Sequence, residues 1–293
     1  MRRGAMAVLL LTAALGLAGC SSVAVLGAVE PKDGLSISRD IAYAPGPRGG
    51  LDVYRPARAD GHAPVVVFFY GGSWDSGRKA DYEFVGAALA SQGFVVVVPD
   101  YRIYPDVRWP AFLEDNARAV AFARAHAAAF GGDPAKLFLM GHSAGAYDAV
   151  MLASDPRWLG AVGLDPGRDL KGVVGLAGPY DFLPLHTEEL KTIFGPLEQQ
   201  PDTQPINHVT AEVPPLFLAT DTADTVVDPG NTARMAAHIR ALGGRVETRA
   251  YKGLSHALLI AALAAPLRFL APVLADSSRF IAARAREGAG AAD

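Results

Sequence analysis

The residue most open to chemistry is Ser143, in the run "GHSAG" from Gly141 to Gly145. A serine hydroxyl is a weak nucleophile at neutral pH. It needs a neighbouring base, and the base needs an acid to orient it. Ser143 stands where the strand-like "KLFLM" meets the helix-like "AYDAVMLA". A sharp strand-to-helix turn at that point would push the hydroxyl out of the sheet. Gly141 and Gly145 sit two residues to either side, where a Cβ would crowd the neighbouring strand and helix. The plain alternative is a tight turn with an incidental serine.

Seven histidines compete for the role of base. His62 falls in a polar turn, and His126 and His238 fall within helix-like segments. His142 belongs to the serine turn itself, and its side chain is expected to point away from Ser143. His186 and His208 lie in an irregular, proline-rich stretch. His256 closes "YKGLSH", directly after the strand-like "RVETRAY" and before a helix. A loop at the carboxyl end of a strand is the place for a general base, which favours His256. The acid is expected between Ser143 and His256, where "PLFLATDTADTVVDPGN" offers Asp221, Asp224 and Asp228. Asp221 follows the strand directly, and Asp228 precedes Pro229 like a helix cap. Asp224 lies in the loop between, which can curl beneath the histidine, so Asp224 is favoured. A tetrahedral intermediate also needs donors for its oxyanion. The N–H of Ala144, free at the start of the following helix, is one. "YGGSW", from Tyr70 to Trp74, is the expected source of the others.

These groups need a frame. "PVVVFFY", "FVVVVPD", "KLFLMG", "GVVGLAG" and "PLFLAT" are short apolar runs with helix-like segments between them. Strands apolar on both faces belong to a parallel sheet covered by helices. Helices are expected over 82–91, 111–130, 144–153 and 231–242, with two earlier strands over 37–44 and 51–55. The β-α-β rhythm predicts an α/β doubly wound fold. Every motif above then lies at the carboxyl edge of the sheet, where such folds bind ligands. Residues 182–213 break the rhythm, with six prolines between Phe182 and Pro215, and are expected to form a small cap.

With 51% apolar and 19% charged residues, the chain has the composition of a packed domain. A net charge of −3 offers nothing to attract nucleic acid. No zinc-type spacing or phosphate loop is present, and no metal or cofactor is implied. The amino terminus differs in kind. Arg2 and Arg3 precede an apolar run, Ala5 to Ala18, of signal-peptide length. It ends in Leu17-Ala18-Gly19-Cys20, which resembles a bacterial lipobox with Cys20, the only cysteine, as the lipidated residue. The expected organisation is a lipoprotein signal peptide over 1–19, a tether over 20–35 and a catalytic domain over 36–293. The expected location is a bacterial membrane outside the cytoplasm. Ser21 after the cysteine resembles outer-membrane sorting.

Taken together, "YGGSW", "VVPDYRIYP", "GHSAGA", "GPYDF", "DTADTVV" and "YKGLSH" resemble the α/β-hydrolase superfamily, over about residues 40–285. The likeness is to carboxylesterases with an H-G-G-G-W-type oxyanion loop. They include hormone-sensitive-lipase-like and acetylxylan/feruloyl-esterase-like (BD-FAE-like) proteins. It implies an α/β-hydrolase fold with Ser143 as nucleophile, Asp224 as acid and His256 as base. It also implies Gly72, Ser73 and Ala144 as oxyanion donors. Tyr70 replaces the loop's usual first histidine, and Ser73 its third glycine. The hydroxyl of Tyr70 is expected to fill the histidine's structural role. The implied activity is hydrolysis of small or short-acyl carboxylic esters through an acyl-enzyme. Two other functions fit the same scaffold: an amidase such as an arylformamidase, and a catalytically silent binding protein. In "PDYRIYP", Arg102 is expected in an internal ion pair, and "HALLIAALAA" as a core helix.

Overall fold

Short β-branched runs give strands, and the connections between them decide how the strands pair. The computed structural model of the chain describes residues 24–287. Its strands are β1 (Leu35–Ala42), β2 (Gly50–Pro56), β3 (Ala63–Phe69), β4 (Val95–Pro99), β5 (Gly132–His142), β6 (Leu170–Leu176), β7 (Leu216–Asp221) and β8 (Val246–Tyr251). They form one eight-stranded sheet in the order β1-β2-β4-β3-β5-β6-β7-β8. β3 to β8 run parallel, while β1 pairs antiparallel with β2, and β2 with β4. A Pro/Gly turn is too short to return a strand parallel to itself, so β1 and β2 close as an antiparallel pair. The longer links carry helices and give parallel neighbours. This is the α/β-hydrolase architecture.

The helices that matter for the site are α1 (Ala24–Val29), α2 (Glu83–Ala90), α3 (Ala111–His126), α4 (Ala144–Ser154), α5 (Glu188–Phe194), α6 (Gly230–Ala241), α7 (His256–Ala261) and α8 (Val273–Arg286). Side chains alternate along each strand, so the sheet has two packed faces. Val66, Phe68, Val96 and Phe138 meet α1, α2, α7 and α8 on one face. Val65, Val67, Leu137 and Leu139 meet α3, α4 and α6 on the other. Each such side chain, fully buried, contributes roughly 1.5–3 kcal/mol. The helix expected over 111–130 stops at His126. Residues Ala128–Phe130 tighten into a 3-10 turn, closed by Gly131 at φ 81°.

The tether expected over 20–35 is partly built into the domain. Leu26 of α1 is buried in the core, and Glu30 accepts a 2.6 Å hydrogen bond from the Ala265 N–H and pairs with Arg268. The expected signal peptide over 1–19 and the lipidation residue Cys20 lie outside the described residues. No helix among the described residues is long and apolar enough to cross a membrane. The stretch over 182–213, read from sequence as aperiodic, contains α5, capped by Thr187 accepting from the Leu190 N–H, and two 3-10 turns. The prolines at the start of those 3-10 turns explain why no long period shows in the sequence.

Candidate active site

Ser143 is the single residue between β5 and α4, at φ 55° and ψ −124°. A non-glycine residue there is strained, and it persists only where its surroundings dictate it. Two backbone contacts do so. The Ser143 N–H donates to the Leu176 carbonyl at the end of β6 (2.9 Å), and the Ser143 carbonyl accepts from the Ala146 and Tyr147 N–H groups. The flanking glycines are required by contact. A Cβ on Gly141 would collide with the Gly145 carbonyl, and one on Gly145 with the carbonyls of Phe69 and Tyr70.

His256 opens α7, whose first turn Ser255 caps. Its Nδ1 lies 2.7 Å from Asp224 Oδ2. The other carboxylate oxygen, Oδ1, accepts from the N–H groups of Val226 (2.9 Å) and Val227 (3.0 Å). Burial opposes a charge on Asp224. The hydrogen bond and positive charge of His256 outweigh it, together with the N–H groups of Val227 and Val226, and hold the carboxyl below its ordinary range. Asp221 and Asp228 have other partners. Asp221 accepts from the N–H groups of Ala223 (2.8 Å) and Leu254 (3.0 Å), tying the end of β7 to the histidine loop. Asp228 accepts from the Gly230 N–H and pairs with Arg234.

The glycine loop follows β3. Gly71 packs directly on the serine: a Cβ there would sit 2.9 Å from Ser143 Cβ. Gly72 has φ 134°, and its carbonyl accepts from Asp75 and Ser76 in a tight turn. Ser73 and Trp74 then take left-handed conformations, φ 50° and 61°. Among the described residues, no hydrogen bond uses the N–H of Gly72, Ser73 or Ala144. Tyr70 is buried behind the loop. Its hydroxyl donates to Asp100 Oδ1 (2.9 Å) and accepts from Arg48 (3.1 Å), while its ring stacks on Tyr101.

Ser73, Trp74, Ser143, Ala144 and Asp224 share the wall of a cavity of about 610 Å³. Phe182, Leu183 and Leu190 from the 182–213 stretch cover it on one side, and Val226 and Val227 on another. Arg234, the one guanidinium among its described lining residues, is paired with Asp181 and Asp228. Gly72 and His256 are not among its lining residues. No hydrogen bond links the Ser143 hydroxyl to His256 among the described residues.

Of the other histidines, His186 lines the cavity. His142, set aside from sequence, is the one that matters. Its ring lies against that of His256, with centroids 4.8 Å apart, and its Nε2 donates to the His256 carbonyl at 3.1 Å. Burial, reinforced by the charge of His256, pushes its pKa down to about 3, so it stays neutral. Its position beside the serine in the turn was the only sequence signal of this contact. Arg102 pairs with Asp115 (2.8 Å), but its own side chain is half-exposed over the buried carboxylate; of the expected core helix, α7 ends at Ala261, and Leu259 to Ala264 are buried.

A family model described as BD-FAE matches residues 51–239, a span holding β2 to β7, the glycine loop, Ser143 and Asp224. The chain belongs to the BD-FAE family. Curated relatives of this BD-FAE chain include the isoprenylcysteine alpha-carbonyl methylesterase ICME of Arabidopsis thaliana, 30% identical over 79% of the chain and 58% of the relative. Esterase LipC of Mycobacterium tuberculosis is 31% identical over 70% of the chain and 55% of the relative. The BD-FAE chain thus spans little more than half the length of these relatives. A truncated carbohydrate esterase from gut microbiota superposes with a TM-score of 0.76 at 20% identity, over 88% of this chain and 99% of that one. Thermogutta terrifontis esterase 2 does so with a TM-score of 0.70 at 24% identity, over 86% of this chain and 96% of that one.

Proposed function

We propose that this BD-FAE chain is a serine carboxylester hydrolase in which Ser143, His256 and Asp224 act as nucleophile, base and acid. The observation that carries the proposal is the Asp224–His256 bond at the mouth of a strained serine turn. With its Nδ1–H donated to Asp224, the His256 ring offers Nε2 as the base. Nε2 takes the hydroxyl proton of Ser143 as Oγ bonds to the ester carbonyl carbon. The C=O electron pair moves to the oxygen, which the free N–H groups of Gly72, Ser73 and Ala144 receive. The C–O bond to the alcohol then breaks, and the imidazolium returns the proton to the departing oxygen. Water repeats the cycle on the acyl-serine, releasing the acid and restoring Ser143.

The relatives and structural neighbours carry esterase names, which favours esters over the arylformamidase alternative. The apolar wall of Phe182, Leu183, Val226 and Val227 suits an uncharged substrate, and Arg234, the one guanidinium among the described lining residues, is already paired. We further propose that Cys20 carries lipid and holds the enzyme at a bacterial membrane outside the cytoplasm. Two acyl chains suffice for stable anchoring.

Purified protein is assayed on p-nitrophenyl esters of increasing acyl length. Ser143→Ala and His256→Ala are expected to lower kcat by about 10³-fold or more while leaving the fold intact. A fluorophosphonate is expected to label the parent and not Ser143→Ala. Full hydrolysis by either variant overturns the assignment, and absence of labelling in the parent returns the silent-scaffold alternative. Cys20→Ala is expected to move the protein from the membrane to the soluble fraction. An unchanged distribution overturns the anchor.

A further inference from the structure

Asp148 is a buried carboxyl that none of these steps uses. It lies on α4, five residues after Ser143, fully shielded from solvent. Its Oδ1 accepts from the indole Nε1–H of Trp74 and its Oδ2 from the amide of Asn116, each at 3.0 Å. Among the described residues no cation pairs with it, and burial holds its carboxyl well above the usual range against the pull of those two donors. Ala149, Val150, Met151 and Leu152 follow it in the same helix and are all buried. An apolar side chain at 148 would avoid the desolvation that a carboxyl suffers there. The polar choice therefore asks for a reason beyond packing.

The reason lies at the other end of the bond. Ser73 and Trp74 are consecutive non-glycine residues in the left-handed region. Each disfavours that conformation by roughly 1–2 kcal/mol, so the loop needs an outside hold. The Trp74 ring is enclosed edge-on by Tyr147 at 5.1 Å and Phe194 at 4.7 Å. Such contacts fill space without fixing direction. The indole N–H to Asp148 is the directional contact on that ring, and its acceptor belongs to the helix whose first N–H is Ala144. One hydrogen bond thus ties the loop bearing one oxyanion donor to the helix bearing the other.

Granted the ester hydrolysis proposed above, we propose that Asp148 is a positioning residue that acts through Trp74. It locks the Ser73–Trp74 backbone so that the Ser73 and Ala144 N–H groups keep the spacing the oxyanion requires. A slack loop would still admit substrate but would stabilise the transition state poorly, so the effect falls on kcat. Asp148→Asn retains an oxygen for Trp74 and presents an amide to Asn116, whose own Oδ1 is buried without a partner among the described residues and can turn to accept it. That variant is the rescue.

The test uses the full-length protein and p-nitrophenyl acetate, with kcat and KM measured per folded molecule and melting temperature measured alongside. Asp148→Ala and Trp74→Phe are each expected to lower kcat by about 10- to 100-fold with KM within about twofold. The double variant is expected to be no worse than the worse single one, and Asp148→Asn to stay within about threefold of the parent. Asp148→Ala with a lowered melting temperature and a parental kcat overturns the proposal. Should Asp148→Ala not fold, Trp74→Phe decides: a parental kcat there overturns it equally. Ser143→Ala in the same series separates the two claims. If Ser143→Ala stays active, the ester-hydrolase assignment fails. If it is dead while Trp74→Phe is unaffected, only the positioning role fails.

Discussion

His142 gives the protein a specific weakness in acid. Its Nε2–H is committed to the His256 carbonyl, and its Nδ1 is buried with no hydrogen-bond partner among the described residues. Protonating Nδ1 would place a charge in a fully buried site beside a second imidazole. The folded-state pKa falls accordingly to about 3 from an ordinary 6.5. Below pH 6.5 the unfolded chain takes up a proton here that the folded chain refuses, so stability rises with pH across that window. The stability from a neutral His142 is fully present above about pH 6.5. It drains as pH falls towards about 3. At about pH 4.5, two units below the ordinary value, the loss is roughly 2 × 1.36, or about 3 kcal/mol. That figure needs only a folded-state pKa below 4.5. The comparison is urea unfolding of the parent and of His142→Gln, at about pH 7.5 and about pH 4.5. Glutamine keeps a donor for the His256 carbonyl and does not titrate. Every carboxylate is common to both proteins and cancels in the difference. The parent is expected to lose about 3 kcal/mol more than the variant between the two pH values. Equal losses would refute the buried, neutral histidine.

Three further outcomes are expected. Gly145→Ala puts a methyl into the carbonyls of Phe69 and Tyr70, rigid backbone of the neighbouring strand, and is expected to cost more than about 3 kcal/mol or to prevent folding, read by urea unfolding. Tyr70→Phe leaves Asp100 and Arg48 each short of a partner behind the glycine loop and is expected to cost about 1–3 kcal/mol, read by the shift in urea midpoint. The Asp224 carboxyl, held low by His256, contributes stability that is present above its ordinary 3.8 and lost as pH falls through the lower folded value; Asp224→Asn is expected to flatten that acid limb of the stability profile.

The parallel core was legible because β3 to β7 are runs of Val, Phe and Leu whose connections are long enough for helices. The Ser143, Asp224 and His256 positions were legible because each follows a strand at the carboxyl edge, where the topology leaves room for chemistry. The glycine positions were legible for the same reason, since close approach of backbone is a property of residue type. The partners of those residues were not. Nothing local in "GHSAG" says that His142 turns towards His256, because that contact spans 114 residues. Asp148 reads as a polar break in an apolar helix until Trp74 is brought to it across 74 residues. The cap stretch hid α5 because one short helix between prolines carries too few turns to show a period. The packing of α1 was not legible because its residues are small; buried Leu26 and Gly27, with Glu30 just after the helix, show that it packs.

Strain is concentrated where the proposed chemistry is. Of the five described non-glycine residues with positive φ, Ser73, Trp74 and Ser143 belong to the same cavity wall. None of the three is stable there by its own preference, so each needs a different hold. Ser143 is held by backbone, through Leu176 and through glycines that admit the neighbouring chain. The loop is held from behind by Tyr70 on Asp100 and Arg48, and from below by Trp74 on Asp148. These holds are polar, the Trp74–Asp148 bond fully buried and the Tyr70 bonds partly so, and such interactions are directional once formed. Backbone bonds also hold the loop, since the Trp74 carbonyl accepts from the Tyr104 N–H at 2.7 Å; the bond to Asp148 adds the tie to the serine helix. On the proposal above, the buried carboxyl of Asp148 joins the glycine loop to the helix that begins at Ala144, while the half-buried Asp100 braces the loop through Tyr70.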